Sequence, residues 1–212
     1  MAERGNNYDR QVDIAREIFL QYDQQRLIEK FHLTADAEFL SLKYLDTDCR
    51  ICRKSGRVDE KNADGQWVEC RNFNTVMTVY DLLCHHQGEL FPVQTGNWQP
   101  IESFTVSAEQ KFGTFTGDAA LVFEAHKERV RSACEALGGV LQAPIAGADV
   151  TCLFPVTKWF SLLLQFWSAD EEFSPQVRLL WDQNALKLLH FETTFYLQGD
   201  LLERICRKLK EG

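Results

Sequence analysis

The sequence predicts an α+β protein: a single domain in which helices pack on an antiparallel sheet. Three observations carry that expectation. Between positions 150 and 181, three segments alternate apolar and polar residues and are joined by turns too short for crossover helices, so their strands pair antiparallel. A similar strand–turn–strand pattern occupies 39–54. Both ends of the chain, 8–31 and about 191–209, instead repeat apolar residues at helical spacing. At 212 residues the chain suits one domain with a core of its own. That domain is expected to span 1–212, with an N-terminal helix over 8–31 and its most regular core over 118–210.

The elements follow in order. Val12, Ala15, Phe19 and Tyr22, continued by Leu27, Ile28 and Phe31, give the apolar face of a helix that Asn7 can cap. Phe39 to Tyr44 reads as a strand, and Cys49 to Lys54 as its hairpin partner, ended by Ser55-Gly56. Asn62-Ala63-Asp64-Gly65 is a turn before a strand at Trp67 to Cys70. Asn74 is expected to cap a helix that Gly88 stops. Residues 89–117 hold Pro92, Gly96, Pro100, Gly113 and Gly117 and read as loop, with a short strand at Phe104 to Val106. Asp118 opens a helix to Leu137, which Gly138-Gly139 ends. Three strands follow, at Val150 to Phe154, Phe160 to Trp167 and Val177 to Trp181. In the closing helix Phe195, Leu202, Ile205 and Leu209 face inward.

Composition narrows the function. The chain is 45% hydrophobic and 25% charged, which is globular rather than disordered. Its 23 basic against 31 acidic residues give a formal charge of -8, a poor match to a phosphate backbone, so no nucleic-acid partner is expected. The longest apolar run, Trp159 to Trp167, is interrupted by Ser161 and Gln165 and falls short of the roughly 20 residues of a membrane helix, so no membrane role is expected. Seven cysteines and no secretion signal predict reduced thiols in a cytoplasm. Phosphate-binding loops, dinucleotide fingerprints, nucleophile elbows and His-Glu-x-x-His are all missing.

Four groups of residues can carry chemistry. Cys49 and Cys52, with Cys70 farther on and a fourth ligand from Cys84, His85 or His86, have the residue types of a tetrahedral zinc site. Against this, positions three apart on a strand face opposite sides, so Cys49 and Cys52 should diverge. Cys84-His85-His86 ends a helix, where imidazoles can ligate a metal or haem iron, or simply suit the helix terminus. Asp170, Glu171 and Glu172 lie between two strands, where carboxylates can bind a hard cation or divide acid and base roles. His190 and Glu192 are their candidate helpers, and a solvated turn is the plainer account. Flanked by Trp167 and Phe173, at least one of the three acids is expected to turn inward onto backbone amides. Last, Trp159, Ser161, Gln165 and Trp167 share one face of the middle strand, as a small-molecule pocket or a second core layer would require.

The residues Phe154-Pro155-Val156, Leu163-Leu164-Gln165-Phe166-Trp167, Asp170-Glu171-Glu172-Phe173-Ser174-Pro175 and Leu179-Leu180-Trp181-Asp182 resemble a known family. So do Leu137-Gly138-Gly139 before them and Glu192 with Leu201-Leu202 after them. It is the domain-of-unknown-function family three-seven-eight-six of anaerobic bacteria and archaea. The resemblance is strongest over 118–207 and weaker over 39–88. Some members carry an iron–sulfur segment ahead of the domain, for which this chain is not expected to have room. The resemblance implies an ordinary strand at Cys49 to Cys52 and names no cofactor. The leading expectation is a non-catalytic binding or accessory module for a protein or small-molecule ligand, linked by the family's company to iron–sulfur, corrinoid or tetrapyrrole metabolism. The alternatives are an enzyme built on the Asp170 to Glu172 turn and a zinc scaffold built on Cys49, Cys52 and Cys70.

Overall fold

A computed structural model describes residues 7–86, 93–104 and 114–211. The class is α+β, as expected, but the described strands form two antiparallel sheets of five rather than one. The chain divides into two compact units, Met1–Pro92 with Lys187–Leu197 and Val93–Leu186 with Gln198–Gly212.

Unit one begins with two helices where one was expected over 8–31. Helix α1 (Asn7–Gln21) stops, and α2 (Gln24–Phe31) starts afresh behind Asp23, whose carboxylate accepts the amides of Gln25 and Arg26. An aspartate that competes for backbone N–H groups makes a better cap than interior residue, which is why the periodic pattern is interrupted there. A meander follows: β1 (Thr34–Ala35), β2 (Phe39–Tyr44), β3 (Thr47–Cys52), β4 (Val58–Lys61) and β5 (Trp67–Glu69), adjacent in sheet order as in sequence. Leu45 and Asp46 join β2 to β3, both with positive φ (44° and 63°). That is the twist of a type I′ turn, here without the usual Asn-Gly signal. On the outward face, the Arg50 guanidinium lies 3.8 Å from the Phe39 ring centre and 4.5 Å from that of Trp67. Asp59 is buried and takes the Nε–H groups of Arg50 (3.0 Å) and Arg57 (2.7 Å). Helix α3 (Phe73–Cys84) is capped by Asn72, two positions before the expected Asn74, because it is the Asn72 side chain that reaches the amides of Asn74 and Thr75. The Phe19 ring of α1 meets Tyr80 of α3 at 5.7 Å.

Unit two carries the second sheet. Its strands are β6 (Trp98–Pro100), β7 (Val140–Leu141), β8 (Val150–Thr157), β9 (Phe160–Trp167) and β10 (Gln176–Asp182), in the order β6-β10-β9-β8-β7. Strand β6 falls within the stretch read as loop. Of the short strand expected at 104–106, Phe104 closes a 3-10 turn and the remainder lies outside the described residues. The three expected strands pair antiparallel, with Leu164 opposite both Cys152 and Leu179. Phe160, Leu162, Leu164 and Phe166 are buried, and the Phe123 ring packs edge-on to Phe166 at 5.5 Å. The single helix expected from 118 to 137 is α4 (Thr114–Ala125), a 3-10 turn, and α5 (Val130–Glu135). His126, at φ -129° and ψ 28°, breaks it. Gly138-Gly139 does end α5: the Gly139 amide donates to Cys134 O, and a Cβ on Gly139 would stand 2.5 Å from Cys152 Sγ. Helix α6 (Ala185–Leu188) and helix α7 (Phe191–Lys210) finish the chain. Leu202, Ile205 and Leu209 of α7 are buried as expected; Phe195 is only half-buried.

The buried face of β9 sets the first prediction. Leu164→Ala should lower unfolding stability by about 2–5 kcal/mol in chemical denaturation, the range for a leucine truncated in a packed core. A loss below about 1 kcal/mol would place the core elsewhere.

Candidate functional site

Helix α3 and the start of α7 build the site, all of it within unit one. Asp81 and His85 stand four positions apart on α3, hence on one face of the helix. His190 immediately precedes α7. Asp81 grips it twice: Oδ2 accepts the backbone N–H of His190 at 2.7 Å, and Oδ1 meets its ring Nδ1 at 2.5 Å. The other ring nitrogen, Nε2, lies 3.1 Å from His85 Nδ1, with ring centres 3.9 Å apart at 65°. Ligand atoms of Asp81, His85 and His190 all fall within 4.8 Å of one another. The Asp81 side chain is 13% exposed and that of His190 65%, so the carboxylate stands behind the imidazole.

The C-terminal carbonyls of α3 have partners. Tyr22 donates its hydroxyl to Cys84 O and Lys30 its ammonium to His86 O. A cation at a helix C-terminus is favoured by the helix dipole. Burial, then the Arg26 charge, lowers the Lys30 pKa. Tyr80 donates to Gly56 O at 2.5 Å, and burial raises its phenol. Tyr22, Tyr80 and Cys84 help line a cavity of about 690 Å³, with an apolar wall of Ile14, Ala15, Ile18 and Met77 beside His85, His190 and Glu192. Ile14 and Ile18 remain 48% and 44% exposed. Burial and the Asp81 charge push the Cys84 thiol at this cavity up to about 12.

Of the residues singled out in the sequence, His85 and His190 come together, and Glu192 lines the same cavity. Asp81 was not foreseen; its signal is the Asp-x-x-x-His spacing on a helix already recognised. The acidic turn belongs to unit two, His190 and Glu192 to unit one. Asp170 Oδ1 accepts the amides of Glu172 (2.8 Å) and Phe173 (2.7 Å), as expected of one acid in this turn. The inward orientation is corrected: Asp170, Glu171 and Glu172 are all exposed, because Phe173, expected as an anchor, is itself 60% exposed.

The cysteine set does not converge. Cys49 is buried beside Ile51 on one face of β3, while Cys52 shares the other face with Arg50, as strand alternation requires. Cys70 is buried after β5 and donates its amide to Val58 O. None of the three joins the group of converging ligand atoms among the described residues. The tryptophan-bearing face of β9 is tied to loops. Gln165 donates to Ile145 O and Trp167 to Ala146 O, while the Ser161 amide and carbonyl both bond the Gln94 side chain. Trp159 sits in the β8–β9 turn, its amide donating to Thr157 Oγ1.

Two thiols have opposite electrostatics. The Ser55 hydroxyl and the backbone amides of Ser55 and Lys54 hold the Cys52 thiol below its ordinary pKa. Cys84 stays protonated far above neutrality. Because the thiolate is the nucleophile, iodoacetamide at pH 8 should alkylate Cys52 well before Cys84, read by peptide mass spectrometry. Cys84 reacting first would contradict both environments.

No curated protein and no solved structure matches the chain. A family model does, over residues 23–204. That span covers the β-meander, the second sheet, Asp81, His85 and His190, and on this match the chain belongs to the family described as Domain of unknown function (DUF3786).

Proposed function

We propose that the protein is a non-catalytic binding module whose ligand lies in the unit-one cavity, its apolar part against Ile14, Ala15, Ile18 and Met77 and its polar end at His85 and His190. The observation that carries this reading is the convergence of two imidazoles and a carboxylate on a cavity of about 690 Å³. Small-molecule sites combine such a volume, about 300–1,000 Å³, with an apolar lining and a few placed polar groups.

Binding is favoured over nucleophilic catalysis by the third member of the cluster. A carboxylate–histidine pair that activates a nucleophile presents its far ring nitrogen to a serine or cysteine. Here that nitrogen meets another imidazole. The thiol at the cavity, Cys84, is held protonated. A role in iron–sulfur, corrinoid or tetrapyrrole metabolism is the finer form of the same proposal. Histidine is an axial ligand of haem iron, and an apolar wall beside two imidazoles suits a flat macrocycle.

The anionic dye 1-anilinonaphthalene-8-sulfonate tests the cavity itself. Chelator-treated, cooperatively folding protein should bind it at one site, and Ala15→Trp, which fills the apolar wall, should weaken that binding at least tenfold while keeping the wild-type circular dichroism. Equal dye binding by Ala15→Trp would contradict the proposal.

A further inference from the structure

We propose that His85 and His190 are the protein ligands of a single divalent transition-metal ion, with Asp81 as the residue that positions His190 and the ion's remaining coordination positions open to the cavity. This rests on the reading of the cavity as a ligand site and names the group through which its ligand is held.

The argument starts from the carboxylate. Asp81 accepts from His190 at both the backbone amide and ring Nδ1. An ionised carboxylate only accepts, so the ring proton belongs on Nδ1. Nε2 is then a bare lone pair aimed away from Asp81. Opposite it, 3.1 Å away, stands a second imidazole nitrogen. Two such nitrogens at this distance require a proton or a metal cation between them.

The nitrogen separation fits the ion. Two imidazoles bound to one zinc-like ion at about 2.0–2.1 Å have nitrogens separated by about 3.0–3.4 Å. The observed 3.1 Å falls within that interval. With the ring centres 3.9 Å apart at 65°, the rings must swing apart slightly to aim both lone pairs at one ion.

Asp81 takes the place of an outer-shell carboxylate, which fixes the tautomer of a ligating histidine and strengthens its donor nitrogen. Each of its oxygens accepts from His190, which makes Asp81 the residue that positions that imidazole. Two imidazoles leave at least two positions of a tetrahedral ion for an outside donor, the pattern of an open site rather than a closed structural one. Imidazole donors select zinc, cobalt, nickel, copper or iron over calcium and magnesium, which prefer all-oxygen shells.

The test uses the full chain, stripped with chelator and then titrated with Zn²⁺ under native mass spectrometry and with Co²⁺ under visible absorption. One ion per chain is expected, with no binding of Ca²⁺ or Mg²⁺ at the same concentration. His85→Ala and His190→Ala should each lower affinity at least 100-fold, and Asp81→Asn by about 10–100-fold with the stoichiometry kept at one. His190→Gln serves if the alanine variant fails to fold, and circular dichroism checks every variant. Wild-type protein that takes up no ion, or binding that survives the His85→Ala/His190→Ala double substitution, overturns the proposal. The dye experiment separates the two readings. One-site dye binding without metal uptake leaves the cavity standing and removes the ion. Metal uptake without dye binding supports the ion and removes the apolar ligand site.

Discussion

The Asp81 carboxylate joins two parts of the chain 109 positions apart, and the functional reading depends on that contact. Helix α3 supplies the acid, the start of α7 supplies the histidine, and the double bond between them sets the ring orientation. A single hydrogen bond would leave the imidazole free to rotate about its side-chain torsions. The second, to the backbone amide, fixes the base of the side chain as well. That amide lies ahead of the first turn of α7, where unsatisfied N–H groups otherwise seek water or a cap. One acid therefore satisfies a helix-start donor and orients a functional ring at the same time.

Two other buried carboxylates are structural, and their partners show why. Asp182 is fully buried and accepts the Thr95 amide and hydroxyl and the Gly96 amide at Oδ2, and the Asn184 amide at Oδ1. Asp59 is held by two arginines. An unpartnered carboxylate in either place would cost several kcal/mol. This accounts for the residues behind the family resemblance. Trp181 is buried in the second sheet, Asp182 pins the 95–96 loop, Gly139 lets α5 approach β8, and Asp170 closes its own turn. They specify unit two, whereas the chemistry converges in unit one.

Much of the second sheet was legible because its signal is local. Val150, Cys152, Phe154 and the apolar face from Phe160 to Phe166 are buried as their pattern predicts, although Thr151, Leu163 and Gln165 on the opposite faces are buried as well, and short turns dictate antiparallel pairing. The first sheet was only partly legible. The β2–β3 hairpin turns through Leu45-Asp46, without the usual Asn-Gly pair, and β1 is two residues long. Helix boundaries slipped where a side chain outcompeted periodicity, at Asp23 and Asn72. The site divides the same way. His85 at a helix end and His190 at a helix start were each visible as residues. Their meeting, and the choice of Asp81 over the more conspicuous Asp170 to Glu172 run, depends on long-range packing that no window of sequence contains. The exposed Phe173 shows the limit of inferring burial from residue type alone.

The most direct measurement of the central interaction is the tautomer of His190, read from long-range nitrogen–proton correlations in ¹⁵N-labelled, metal-free protein. If Asp81 fixes the ring, His190 carries its proton on Nδ1 and shows a pyridine-like Nε2 while the ring is neutral, and Asp81→Asn disturbs that pattern. A neutral His190 protonated on Nε2, or a signal unchanged by Asp81→Asn, would contradict the account.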